Sequence, residues 1–154
     1  MNYNFPSEFD QQSDKSIGYS FIRVYNLWHK RIKKALSEVG LTHPQFIVLT
    51  SLSFLINNQE KVNQVDIANA TNIDVMTIST IVKNLEKKGF VTRNISHTDT
   101  RAKLITLTDN GHFLVEKSVP IVENIDKEFF GSLNDQTSTF NNLLLDLIKG
   151  SLLQ

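Results

Sequence analysis

Apolar residues recur along this chain at two different periods, and the switch between them outlines its architecture. Ile17, Phe21, Val24, Trp28, Ile32 and Ala35 follow one another at steps of three and four. That stripe predicts a long amphipathic helix, and Gly40 stands where a left-handed cap would end it. Thr42 followed by Gln45 makes a capping box, with Leu41 and Phe46 in the two positions of a hydrophobic staple, so a second helix starts there and runs toward Ile56. After the polar connector "NNQEK", Asn63 can cap a short helix over "QVDIANAT", with Val62 and Ile67 as its staple. Asp74 can cap a further helix, flanked by Ile73 and Ile78.

In that fourth helix, "VMTISTIVKNLEKKGF", Ile78, Ile81, Val82 and Leu85 form a buried stripe and Gly89 ends it. Its other face, with Met76, Thr77, Ser79, Thr80 and Lys83, has no core to join. The period then changes to alternation in "FVTRNI" and "KLITLT", which "SHTDTRA" joins as a hairpin loop. Thr108 can cap the next helix, with Asp109 in its first turn. A break or kink is expected near Pro120 and a stop near Gly131. The last helix carries Phe140, Leu143, Leu144, Leu147 and Ile148 on one face.

The expected fold is mainly α with a small β-hairpin wing. A winged helix-turn-helix core covers 42–108, with the helix-turn-helix at about 63–88 and the wing at about 90–108. Helices at 15–40 and 109–150 flank it. Their wide apolar faces, Trp28 and Ile32 at one end and Leu143, Leu144 and Leu147 at the other, predict a homodimer.

Composition narrows the function. The chain has 154 residues, enough for one compact domain that buries about two thirds of its unfolded surface. It has no cysteine, which excludes disulfides, thiol catalysis and thiolate metal sites. The N-terminal "MNYNFPSEFDQQSD" lacks a basic, apolar leader pattern, and the longest apolar stretch, "FIVLTSLSFLI", is too short for a bilayer. A cytoplasmic location with no membrane partner is expected. Net charge is zero, but residues 61–108 hold seven basic residues against four acids, and 109–154 hold three against seven. The centre is therefore the part suited to an anion.

Helix, turn, helix and hairpin in this order suit duplex DNA, because a helix fits the major groove and its N-terminal residues reach base edges. Met76, Thr77, Ser79 and Thr80 are candidates for bases or phosphates, and Lys83 for a phosphate. A hairpin tip beside such a helix lies near the adjacent minor groove, where a narrow groove attracts arginine. Arg101 is the candidate for insertion there, Asp99 for holding its guanidinium, and Lys103 and Arg93 for phosphates.

The runs "GLTHPQFIVLTSL", "VDIANATNIDVMTISTIVKNLEKKGFVTR" and "DTRAKLITLTDNG", in this order, resemble the MarR family of bacterial transcriptional regulators. The resemblance spans roughly Leu27 to Gly111. It implies a winged-helix homodimer with intertwined terminal helices that binds a pseudo-palindromic operator, often represses, and is often released by a small phenolic or otherwise lipophilic effector. It also implies that Arg101 is the wing arginine, Asp99 its partner, and Val75 to Lys83 the reading surface. Thr80 and Asn84 depart from the pattern, since many relatives carry Arg or Lys near these positions. Operator affinity is then expected to lean more on the wing.

Several other features have plainer readings. The charges of "HKRIKK" fall mostly on the wet side of the first helix. Tyr25, Trp28 and Phe46 suit core packing better than an effector cavity. His112 and Glu116, one turn apart, are two ligands and not a metal site. No nucleophile elbow, phosphate-cradling loop or carboxylate constellation is present, so neither an enzyme nor a cofactor is expected. The rival reading is a winged-helix protein-interaction module without DNA binding, suggested by the neutral total charge and the cation-poor fourth helix.

Overall fold

A computed structural model describes residues 6–9, 12–95 and 103–152. Six helices and one hairpin follow in the order α1 (Ile17–Glu38), α2 (His43–Asn58), α3 (Gln64–Thr71), α4 (Val75–Lys87), β1 (Val91–Ile95), β2 (Lys103–Leu107), α5 (Asp109–Phe130) and α6 (Thr137–Leu152). Tight 3-10 turns stand at Ser13–Lys15 and Gly131–Gln136. The expected mainly helical fold with a hairpin wing is the fold observed.

Helix starts are set by local chemistry. Thr42 accepts from the Gln45 amide at 3.3 Å while Gln45 Oε1 accepts from the Thr42 amide at 3.1 Å, so two orphan donors are satisfied at once. Asn63 does the same with Asp66, whose carboxylate accepts from the Asn63 amide at 2.7 Å. Gly40 and Gly89 adopt φ of +76° and +75°, the left-handed conformation that ends α1 and α4. Asn72, at φ 54°, makes the turn between α3 and α4, a conformation that asparagine tolerates better than most residues.

The core gathers Ile32 and Leu36 of α1, Val48, Leu49 and Leu52 of α2, Ile67 of α3, the α4 stripe, Val91, Ile105, Leu114 and Val122. β1 and β2 pair antiparallel with Val91 opposite Leu107 and Arg93 opposite Ile105. The hairpin is tied back to the helices, since the Ile105 amide donates to the Val62 carbonyl at 2.8 Å.

Two expectations change. Pro120 does not break its helix, which continues through it to the expected stop at Gly131. Pro120 and Glu116 are both exposed, so water can take up the carbonyl that loses its amide donor. Ile32 does not belong to an uncovered face, because the chain's own core buries it completely. The uncovered part of α1 lies further toward its start, at Ile17, Phe21, Val24 and Leu27. No single helix among the described residues is long and apolar enough to cross a membrane.

Candidate nucleic-acid interface

α4 is seated by one face and leaves the other free. Ile78, Ile81, Val82 and Leu85 are buried, while Val75, Met76, Thr77, Thr80 and Lys83 are exposed and Ser79 is half-buried. Met76 is 79% exposed, and none of the described residues covers it. The structure thus brings the six residues nominated on this helix onto one accessible strip.

The hydroxyls on that strip are partly committed. Asp74 Oδ1 accepts from the Thr77 amide at 2.8 Å and Oδ2 accepts from Thr77 Oγ1 at 2.6 Å. Thr80 Oγ1 donates to the Met76 carbonyl at 3.2 Å. With their protons turned inward, both hydroxyls offer mainly acceptor capacity, which suits the amino group of a base better than a phosphate. The bonds from Thr77, side chain first and backbone second, hold the Asp74 carboxyl below the ordinary carboxylate range. The anion at this helix N-terminus is therefore the protein's own. Lys83 is the group on the strip best suited to a phosphate.

The wing supplies a second set. Lys103 is exposed at the start of β2. Arg93 meets a protein partner: Nε donates to Glu86 Oε2 at 2.8 Å and Nη2 donates to the same oxygen. Arg93, nominated for a phosphate, has two of its guanidinium nitrogens engaged by Glu86 of α4, and its side chain is 15% exposed. Glu86 is held in its charged form below the usual range, first by Arg93 and, more weakly, by the positive charge of Lys103. Glu86 was not nominated from sequence. The parity of β1 was the available signal, since Arg93 alternates with the exposed Thr92 and Asn94 and shares a face with buried Val91. Asp99 and Arg101 lie outside the described residues.

Away from this strip, α1, α2 and α5 meet in an aromatic cluster. Trp28 Nε1 donates to Asp126 Oδ1 at 2.7 Å, and its ring stands edge-on to His43 at 5.3 Å. His29 lies 5.0 Å from His43 and stacks on Tyr25 at 5.1 Å. Phe46 is half-buried against the core. Among the described residues no group of three or more His, Asp or Glu side chains is placed to hold a metal ion.

The sequence profile described as MarR family matches residues 41–103, the stretch from the start of α2 to the start of β2. The uncharacterized HTH-type transcriptional regulator YdcH of Bacillus subtilis (strain 168) is 38% identical over 117 residues, covering 76% of this chain and 80% of that protein. The structure of BpsR from Bordetella bronchiseptica, whose DNA binding is regulated by 6-hydroxynicotinic acid, superposes with a TM-score of 0.77. It is 28% identical and covers 96% of each chain. The MepR–DNA complex of S. aureus superposes with a TM-score of 0.79 at 25% identity, over 88% of this chain and 98% of that one. With an accessible α4 strip beside a hairpin wing, and with these relatives, this chain belongs to the MarR family of winged helix-turn-helix DNA-binding transcriptional regulators.

Proposed function

We propose that the protein works as a homodimeric repressor that reads one half-site of a pseudo-palindromic operator with each subunit. The observation that carries this reading is the strip of α4, from Val75 to Lys83, seated on the core by one face and uncovered on the other. Val75, Met76, Thr77, Ser79 and Thr80 are assigned to the major groove and Lys83 to a phosphate. Lys103 is assigned to a second phosphate, Arg101 to the minor groove, and Asp99 to holding the Arg101 guanidinium. Two copies set their reading helices about one helical turn, roughly 34 Å, apart.

Dimerisation is supported by an apolar groove of about 520 Å³ between α1 and α6, lined by Phe21, Val24, Trp28, Phe140, Leu143 and Leu147 among others. Its lining is almost wholly apolar, and a single chain leaves it open to water. Release by a small phenolic or otherwise lipophilic effector is part of the proposal. The regulation of BpsR by 6-hydroxynicotinic acid gives it a precedent in a related protein.

Selection of bound duplexes from random DNA tests the reading. A palindromic motif with half-sites one turn apart is the expected result. Recovery of no motif at low salt would instead favour a winged-helix interaction module.

A further inference from the structure

Glu86 stands in the last turn of α4 and Arg93 in the middle of β1, so their ion pair crosses the seam between the reading helix and the wing. The side chain of Arg93 is 15% exposed and that of Glu86 35%. Both donors of the arginine fork, Nε and Nη2, engage one carboxylate oxygen.

A two-stranded hairpin is not stable alone, and its direction has to be imposed by whatever it packs against. Here Leu85, Val91 and Ile105 bury its base, and the bond from the Ile105 amide to Val62 anchors β2. Apolar packing holds the base in place but is not directional. The planar fork of an arginine on a carboxylate is directional.

We propose that Glu86 and Arg93 form a strut that sets the direction of the wing relative to α4, making Arg93 a positioning residue and not a phosphate ligand. The proposal rests on the DNA-reading assignment of α4. It also makes a prediction opposite in sign to simple Coulomb attraction. Removing an acid from the helix that meets a polyanion ought to tighten binding. Removing one end of a strut weakens it.

The test uses the full chain and a duplex that the wild type recovers from random sequence, with affinity measured across a salt series. Glu86→Gln, Arg93→Gln and Arg93→Lys are each expected to weaken binding by about tenfold, and the double variant with both Gln substitutions is expected to be no weaker than either single one. The slope of log affinity against log salt is expected to stay as in the wild type. If Arg93→Gln lowers that slope by about 0.9 while Arg93→Lys keeps it and Glu86→Gln tightens binding, Arg93 is a phosphate ligand and the strut is overturned. Amide hydrogen exchange in the free protein reads the strut without DNA. Exchange in 91–95 and 103–107 is expected to quicken in all three single variants by more than any fall in their thermal midpoint accounts for. Unchanged exchange overturns the strut even where failure to recover any duplex has already removed the DNA-reading assignment.

Discussion

Gly111 lies directly against the backbone of Phe90: a Cβ built on it would meet the Phe90 carbonyl oxygen at 2.1 Å. Around this contact the start of α5 is stitched to the end of α4 and the start of β1. The Thr108 amide donates to the Phe90 carbonyl at 3.1 Å, Thr108 Oγ1 donates to the Gly89 carbonyl at 2.7 Å, and the Gly111 amide donates to Thr108 Oγ1 at 3.1 Å. The glycine is there for closeness of approach and not for an unusual φ.

Gly111→Ala is accordingly expected to destabilise the fold, although alanine is the better helix former. The obstacle is backbone, which cannot rotate away as a side chain can, so the change is expected to cost about 1–3 kcal/mol. Thermal denaturation measures it. A variant as stable as the wild type would mean that α5 can shift freely against β1.

The bond from Trp28 to Asp126 joins α1 to α5, the two helices that frame the winged core. Asp126→Ala leaves the half-buried indole N–H without its acceptor, at an expected cost of about 1–3 kcal/mol. Asp126→Asn keeps an acceptor oxygen and is expected to cost less. Trp28 is the single tryptophan, so its emission should report the change in both variants. Unaltered emission in the alanine variant would show that the bond does not set the environment of the ring.

What was legible in the sequence was local. Thr42, Asn63, Asp74 and Thr108 each cap the helix that follows them, because a cap needs only a side-chain oxygen within three residues of a free amide. Pairing across a chain reversal was not legible. Glu86 and Arg93 are separated by the glycine stop at Gly89, and helical spacing carries no information past it. Ile32 failed for a related reason: a stripe on α1 records what must be buried, but not whether the cover is the same chain or a second copy. For Asp74 the sequence showed a cap, and only the geometry showed that both of its carboxylate oxygens are taken up by Thr77.

His43 gives the fold a dependence on pH. The residue is 8% exposed at the start of α2. Burial first, and the neighbouring His29 second, hold its pKa below the ordinary value, with Asp126 opposing them. The unfolded chain therefore takes up this proton near pH 6.5 while the folded chain still refuses it. Stability from His43 is complete above that value and is lost progressively as pH falls toward the depressed native pKa. Denaturant titrations at about pH 7.5 and about pH 5.5 are expected to show a smaller acid loss in His43→Gln than in the wild type. Equal losses would place the acid sensitivity elsewhere.

Leu147 of α6 and Phe21 of α1 face the same open groove and are 68% and 58% exposed in the single chain. Because the single chain does not bury Leu147, Leu147→Glu should change the stability of an isolated subunit by no more than about 0.5 kcal/mol. In a dimer closed over this groove the same change puts an unpaired carboxylate among Phe21, Phe140 and Leu143, and a buried charge without a partner opposes association strongly. Sedimentation at micromolar concentration is expected to give twice the 17.5 kDa chain mass for the wild type and the single-chain mass for the variant, with unchanged helical circular dichroism. Specific DNA affinity should fall with the mass, since one subunit grips one half-site and loses the gain from binding both together. A wild type that sediments as a single chain would remove the dimer from the proposed function. A variant that stays dimeric would move the interface away from the α1 and α6 groove.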